Sequence, residues 1–252
     1  MLRFTRIALA ACASAAAMSA AMAADMPVYV PEVTPMPVPE VPVAVSGWYL
    51  RGDIGYKIYQ DPNPKFNDPL TGPIGFSNNS IEDTGMIGAG IGYKFNNFLR
   101  ADITADYEWP AKFKGNSDCA CELATEYADI SAFTTMVNAY IDLGYYAGFS
   151  PYVGAGIGAS YVTADNGYGT VQKDGSITRY DYSGSSSKWN FAWALMAGVG
   201  YEFSPNLALD VGYRYLNLGS AESPVLQGLT SRIKYEDLSA HEIRVGLRYT
   251  IY

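Results

Sequence analysis

The chain has 252 residues, enough for one large β domain or two small domains. It carries 25 acidic and 17 basic residues, and the net charge of −8 argues against a nucleic-acid-binding protein, which needs a basic surface. One histidine and three cysteines exclude a multi-histidine metal centre and a disulfide scaffold, and no metal or cofactor is predicted. The 21 tyrosines and 25 glycines favour an all-β protein that lies partly in lipid.

The first 23 residues have the features of a secretory signal peptide. Arg3 and Arg6 form a basic n-region, an apolar run follows over residues 7–17, and Ala21-Met22-Ala23 is a small-x-small cleavage site. The mature chain is therefore predicted to begin at Ala24.

A lipid-modified Cys12 is the alternative to this cleavage. Leu9-Ala10-Ala11-Cys12 matches the letters of a lipoprotein box, but the apolar stretch before Cys12 is shorter than the usual signal-peptide core of about 7–15 residues. Signal-peptide cleavage is the preferred interpretation.

Residues 24–46 form a second segment with a different composition. Six prolines alternate there with Val, Glu, Met and Thr, a pattern that favours extended polyproline geometry over helix or sheet. We interpret the segment as a flexible periplasmic leader, with a peptidoglycan contact as the alternative.

From Gly47 to the C-terminus the hydrophobic pattern has a period of two, which is typical of strands with two different environments. The three clearest strands are predicted over residues 48–59, 99–109 and 242–251. Five further strands are predicted over residues 86–95, 133–142, 153–161, 190–202 and 207–215. Strands of about 12 residues are slightly longer than the 9–11 that cross a bilayer at a tilt.

The connections between these strands alternate in length. Three are short turns, at Asn96-Asn97 and over residues 144–150 and 204–206. Four are predicted to be long polar loops, over residues 60–82, 111–130, 164–188 and 217–238. Short turns on one side and long loops on the other are typical of an outer-membrane barrel. The alternative is a soluble eight-stranded barrel with a ligand inside, and the glycines on the charged face argue against it, because a narrow membrane barrel has little room there.

Together these features resemble the small eight-stranded outer-membrane β-barrel proteins, in particular the alphaproteobacterial porin-like and opacity-type surface antigens. The similarity lies in the segment Gly47–Tyr56, in the hairpin Val199–Leu207 and in the ending Arg244–Tyr252. It implies an all-β fold, an eight-stranded antiparallel up-and-down transmembrane barrel over residues 47–252, located in the outer membrane.

The ending also resembles the terminal signal that barrel-assembly machinery recognises. Gly246, Tyr249, Ile251 and Tyr252 are the candidate residues of this signal. Ile251 stands where the family usually has an aromatic residue, so recognition is expected in a modified form.

The face predicted to point inward carries charges of both signs. Buried charges are costly unless they are paired and hydrogen-bonded, and about eight strands enclose a lumen only as wide as side chains. We therefore predict an ion-pair network that fills the lumen, with an ion path as the alternative. The candidate residues are Arg51, Asp53, Lys57, Lys94, Arg100, Asp102, Asp106, Glu108, Asp142, Glu202, Asp210, Arg214, Glu242, Arg244 and Arg248.

Two further candidates lie toward the predicted outer side. Cys119 and Cys121 are a candidate disulfide in an oxidising compartment, although residues two apart would close a strained ring. Asp237, Ser239 and His241 share one strand face, but side chains at i and i+2 lie roughly 7 Å apart, too far for the direct contacts of a catalytic triad. No enzyme activity is predicted.

The predicted function is structural: envelope integrity and surface contacts through four long acidic loops. The alternatives are a porin-like passive channel for small solutes or ions, and a surface receptor for haem or another ligand. Tyr168, Tyr180 and Tyr182 are the candidate receptor contacts. The expected partners are outer-membrane lipid, lipopolysaccharide and the barrel-assembly machinery, with peptidoglycan or host-surface contacts as further candidates and no nucleic acid.

Overall fold

The computed structural model describes residues 46–68, 72–74, 76–117, 123–173, 175–226 and 233–251. The predicted signal peptide, the proline-rich leader, Cys119, Cys121 and Tyr252 lie outside the described residues, so the predictions about them stay predictions. Within these described ranges, no helix is both long and apolar enough to cross a membrane.

Thirteen strands make up nearly all of the described chain. In chain order they are β1 Gly47–Tyr59, β2 Asn63–Asp68, β3 Gly72–Ile74, β4 Phe76–Ile81, β5 Thr84–Lys94, β6 Leu99–Ser117, β7 Leu123–Asp142, β8 Phe149–Lys173, β9 Ser176–Ser183, β10 Ser186–Ser204, β11 Leu207–Glu222, β12 Val225–Leu226 and β13 Ile233–Ile251. Eight of them form an antiparallel ring in the order β1-β5-β6-β7-β8-β10-β11-β13. Continuous pairing of β1 with β13, from Trp48–Ile251 to Tyr59–Ala240, closes the ring. The predicted eight-stranded barrel is confirmed.

The two faces of the ring have the environments that the sequence predicts. Apolar side chains on the outer face are exposed, including Ile54 at 62%, Ile103 at 59% and Val137 at 56%. Charged side chains on the inner face are buried, and Asp106 has no exposed surface. A soluble barrel would show the opposite arrangement, so this exposure pattern identifies a lipid-facing band.

The prediction of four long loops is wrong, because most of the residues in these ranges lie in strands. The strands β6, β7 and β8 have 19, 20 and 25 residues, about twice the length that spans a bilayer. Short strands complete the wall at this end: β2 pairs with β13 and β3, β4 pairs with β6, and β9 pairs with β8 and β12. We call the described residues within 60–83, 110–130, 164–188 and 217–240 the outer extension. It lies on the side opposite the short turns, which is the extracellular side of such barrels.

In the outer extension the polarity of the two faces is reversed. A β-bulge between Glu108 and Ala111 shifts the register of β6, and beyond it Ala111 and Phe113 point inward while Lys112 and Lys114 face water. The reason is physical: outside the membrane the outward face meets water instead of lipid. A pattern rule that requires an apolar outer face therefore mistakes these strands for polar loops.

The inward side chains of the outer extension, with a few inward residues just below it, pack into one cluster, which we call the apolar plug. The rings of Phe113 on β6 and Tyr235 on β13 meet edge to face at 4.7 Å, joining strands that are not neighbours in the ring. The plug consists of Tyr59, Ile81, Ala111, Phe113, Ala128, Ile130, Ala132, Met136, Val162, Ala194, Leu216, Leu218, Ala221, Ile233, Tyr235, Leu238 and Ala240.

Candidate functional site: the closed lumen

Charged residues fill the lumen at membrane level, and they form two clusters. The inner cluster, toward the short turns, consists of Arg51, Asp53, Arg100, Asp102, Asp142, Asp210 and Arg248. The outer cluster, toward the apolar plug, consists of Lys57, Asp106, Glu108, Arg214, Glu242 and Arg244. Arg244 also reaches Asp53, with 3.4 Å between Nη2 and Oδ2, and so links the two clusters.

Asp106 is the centre of the outer cluster. Its Oδ2 accepts hydrogen bonds from Nη1 of Arg214 at 2.7 Å and from Nη1 of Arg244 at 3.0 Å, and its Oδ1 accepts one from Nη2 of Arg244 at 2.9 Å. These groups come from β6, β11 and β13, so one carboxylate ties the two sides of the barrel together. Charge-assisted bonds of this kind are roughly twice as strong as neutral ones.

Lys57 completes the outer cluster next to the apolar plug. Its fully buried ammonium contacts the carboxylates of Glu108 and Glu242. Glu108 also accepts a hydrogen bond from the hydroxyl of Tyr59 at 2.8 Å, and Tyr59 belongs to the plug. The charged and apolar parts of the lumen filling are therefore in direct contact.

Neutral donors complete the inner cluster. The carboxylate of Asp102 accepts hydrogen bonds from Arg51 at 3.0 Å, Tyr49 at 3.1 Å, Asn138 at 2.8 Å and Tyr140 at 3.3 Å. The clusters hold seven carboxylates and six cations among the described residues, and such donors solvate the additional carboxylate in place of water.

Arg100 is held by stacking as much as by charge. Its Nε donates to Asp142 at 3.0 Å, and its guanidinium lies 4.3 Å and 4.5 Å from the ring centres of Tyr140 and Tyr152. A desolvated cation between two aromatic faces is stabilised by the ring quadrupoles. Charge counting misses Tyr49, Tyr140, Tyr152 and Asn138, although their parity along the strands places them on the inward face.

Glycines on the inner face make room for these side chains. A Cβ added at Gly198 would lie 2.6 Å from the hydroxyl oxygen of Tyr152, and one added at Gly88 would lie 1.9 Å from Oδ1 of Asp106. Any larger residue would have to displace the ring or the carboxylate. The concentration of glycine on the inward face therefore follows from the width of the barrel.

Little empty space remains between the clusters. One cavity of about 20 Å³ lies there, bordered by side chains that include Arg51, Asp53, Asn138, Arg214 and Arg244. That volume holds about one water molecule. This cavity therefore has no room for a solute larger than water.

Lys94 and Glu202, predicted as members of the network, make no ion pair within the described part of the chain. Both lie at strand ends and line a cavity of about 380 Å³ at the inner mouth of the barrel. They differ from the buried charges because side chains at the mouth reach water. The other thirteen residues of the candidate network all make ion pairs with one another.

The remaining candidates do not converge on a site. The hydroxyl of Ser239 donates to Gln60 at 2.8 Å, and His241 contacts Gln60 and Tyr213, so no serine–histidine contact forms.

The three tyrosines of the candidate receptor site also separate. Tyr168 on β8 is the register partner of Asp181 on β9, and the guanidinium of Arg179 lies 3.9 Å from the centre of the Tyr168 ring. Tyr182 follows Asp181 in the chain, so its side chain points to the opposite face of the sheet, where its hydroxyl donates to Glu126 at 2.7 Å. Tyr180 shares the parity of Tyr182 and is 48% exposed. A planar ligand such as haem could not contact all three at once.

Of the candidate assembly signal, Tyr249 and Ile251 are about half exposed on the lipid face. Gly246 faces inward, where an added Cβ would lie 2.3 Å from Oδ1 of Asp53. The assembly role itself stays a prediction.

A barrel of this size and polarity matches a known family. The sequence model of the family described as "Outer membrane protein beta-barrel domain" matches residues 7–250 of this chain. The chain belongs to this family. Its location is therefore the outer membrane.

Individual relatives agree with this assignment. An uncharacterized protein of Brucella suis is 34% identical over 85% of this chain and 87% of its own length. A Rickettsia bellii protein named "Putative adhesin" is 30% identical over 82% of this chain and 89% of its own. The crystal structure of the outer membrane protein OprG from Pseudomonas aeruginosa covers 83% of this chain and 97% of that one, with a TM-score of 0.50 and 14% identity. That structural similarity concerns the fold alone.

Proposed function

We propose that this protein is a non-conducting outer-membrane barrel that acts through its outer extension, stabilising the envelope and making contacts at the cell surface. One observation carries the proposal: the lumen is filled twice in series, by ion-pair clusters at membrane level and by the apolar plug above them. A passive channel needs a continuous path for water, and the plug interrupts that path.

The outer extension has the properties of a contact surface. Paired strands hold it rigid, and it displays Ile177 at 71% exposure and Tyr180 at 48%. Exposed apolar and aromatic groups on a preorganised scaffold favour binding, because little conformational entropy is lost when a partner docks. The name of the Rickettsia bellii relative supports the same role.

A hairpin deletion tests the proposal. Ala164 on β8 and Ser186 on β10 are direct register partners, so residues 165–185 can be replaced by an Asn-Gly turn without changing the ring. Bacteria carrying the shortened protein should keep a correctly assembled barrel and lose attachment to epithelial cells or matrix-coated surfaces.

The double variant Ile177→Ser with Tyr180→Ser is the milder form of the same test, since it leaves the backbone pairing of β9 intact. Attachment that survives both changes would refute the surface role of this hairpin. Envelope integrity is measured in parallel, as detergent sensitivity of a deletion strain complemented with each variant.

A further inference from the structure

The inner mouth of the barrel contains a cavity, which we call the vestibule. It has a volume of about 380 Å³, within the range of small-ligand pockets. Two turns border it, through Asn97 and Phe98 and through Gly144 and Tyr145. Because the ion-pair clusters fill the lumen above it, the vestibule is a dead end that opens on the side of the short turns.

Four charged side chains line the vestibule, and two of them are neutralised by buried partners. Asp142 binds Arg100, with 3.0 Å between Oδ1 and Nε, and Arg248 binds Asp210, with 3.0 Å between Nε and Oδ2. These pairs contribute no net charge to the vestibule.

The other two charges, Lys94 and Glu202, have no ion pair and no side-chain hydrogen bond within the described part of the chain. Both are partly buried. Lys94 ends β5 and Glu202 lies near the end of β10, and these strands are four places apart in the ring of eight. Among the described residues, the vestibule therefore has an unpaired cation on one wall and an unpaired carboxylate on the opposite wall.

Two exposed aromatic side chains also line the vestibule. Phe98 is 64% exposed and Tyr145 is 55% exposed, and both line the vestibule. Such rings contact a short apolar body but do not select its charge. A ligand that fits this lining has a small apolar middle and opposite charges at its two ends.

We propose that the vestibule binds a short zwitterionic peptide from the periplasm, with its carboxylate at Lys94 and its ammonium at Glu202. A simple anion would be attracted by the Lys94 ammonium but repelled by the Glu202 carboxylate, and a simple cation would be attracted by Glu202 but repelled by Lys94. A neutral ligand would desolvate both charges without pairing them, which is unfavourable. This inference does not depend on the function proposed for the outer extension.

Binding is tested with the whole mature protein in lipid nanodiscs, by calorimetry or by chemical-shift changes. The probes are the dipeptide alanyl-alanine, its N-acetyl form and its C-terminal amide. Loss of one charge-assisted contact should weaken binding about tenfold or more, so both blocked forms should bind more weakly than the free dipeptide. Equal affinity for the free and blocked forms would overturn the proposal with the unaltered protein alone.

Variants then assign the poles. Lys94→Gln should weaken binding of the free dipeptide about tenfold and leave the affinity for its C-terminal amide unchanged. Glu202→Gln should also weaken binding of the free dipeptide about tenfold and leave the affinity for its N-acetyl form unchanged. Lys65→Gln, which removes an equal charge from the exposed extracellular side, is the matched control and should change nothing. Unchanged affinity in both vestibule variants would overturn the assignment.

The stereochemistry of the probe identifies the source of the ligand. D-alanyl-D-alanine represents cell-wall peptides, and L-alanyl-L-alanine represents the products of protein breakdown. Tighter binding of either one supports the proposal and assigns the source. No detectable binding of both at millimolar concentration contradicts it.

Discussion

Removal of Arg244 tests the ion-pair clusters most sharply. Its guanidinium donates to Asp106 at 2.9 and 3.0 Å and lies 3.4 Å from Asp53 and 3.7 Å from Glu242. Arg244→Ala therefore leaves Asp106 with one arginine instead of two and removes the link between the clusters. Breaking a buried pair from one side costs about 3–5 kcal/mol, because the remaining charge stays desolvated.

The assay is urea unfolding of the refolded barrel in micelles, and the folded fraction is read from the change in gel migration that heating causes. We expect Arg244→Ala to lower the free energy of unfolding by about 3–5 kcal/mol. Arg179→Ala is the matched control, since Arg179 pairs with Asp181 on the exposed surface and such pairs contribute roughly 0–1 kcal/mol. Equal stability of the two variants would refute the view that the lumen charges hold the barrel together.

Three other perturbations test separate parts of the structure. Ile103→Arg should hinder membrane insertion at a cost of about 2–4 kcal/mol, whereas Ile177→Arg in the outer extension should insert normally in an assembly assay. Gly88→Ala should lower the unfolding temperature because its Cβ overlaps a buried carboxylate, whereas Gly52→Ala, with no other atom within 4 Å of the new Cβ, should not. Burial raises the pKa of Glu126 in the outer extension above its usual 4.5, so the folded protein favours the neutral carboxyl. The stability that depends on this neutral form is complete below about pH 4.5 and is lost as the pH rises through the raised pKa. Glu126→Gln should therefore raise the unfolding temperature at pH 8 and leave it unchanged at pH 4.

The alternation of side chains was sufficient to predict the membrane part of the fold. A residue such as Ile103 faces lipid and its neighbour Thr104 faces the lumen, so two environments produce a pattern with a period of two. The membership of the buried clusters was predictable for the same reason, because a charge buried inside a narrow barrel must find a counter-charge. Lys94 and Glu202 make no ion pair among the described residues, because side chains at the mouth reach water.

The outer extension was not predictable by the same rule. Beyond the bulge at Glu108 the strand β6 buries Phe113 and exposes Lys114, which reverses the pattern that identifies a membrane strand. A search for alternation of either polarity, with a shift of one residue allowed, would have found these strands. The aromatic partners of the clusters were missed for another reason: Tyr140 carries no formal charge, and its contribution depends on contacts between strands that no single segment reveals.

The pairing within each cluster also lies beyond sequence reasoning. Parity places Arg248 on the inward face, but Asp53 on β1 and Asp210 on β11 both lie opposite Gly246 and are equally placed to meet Arg248. In the structure Arg51 binds Asp53 and Arg248 binds Asp210. Register depends on how eight strands close into one ring, and that closure is a property of the whole chain.

The central claim, that the lumen is closed, is tested most directly by single-channel recording of the unaltered protein in a planar bilayer. Two fillings in series predict that the unaltered protein shows only small, rare current openings. They also predict that Arg244→Ala shows no larger current, because the apolar plug is intact. Large, steady conductance that rises in proportion to salt concentration, observed with the unaltered monomer, would contradict this account and establish a porin-like channel instead.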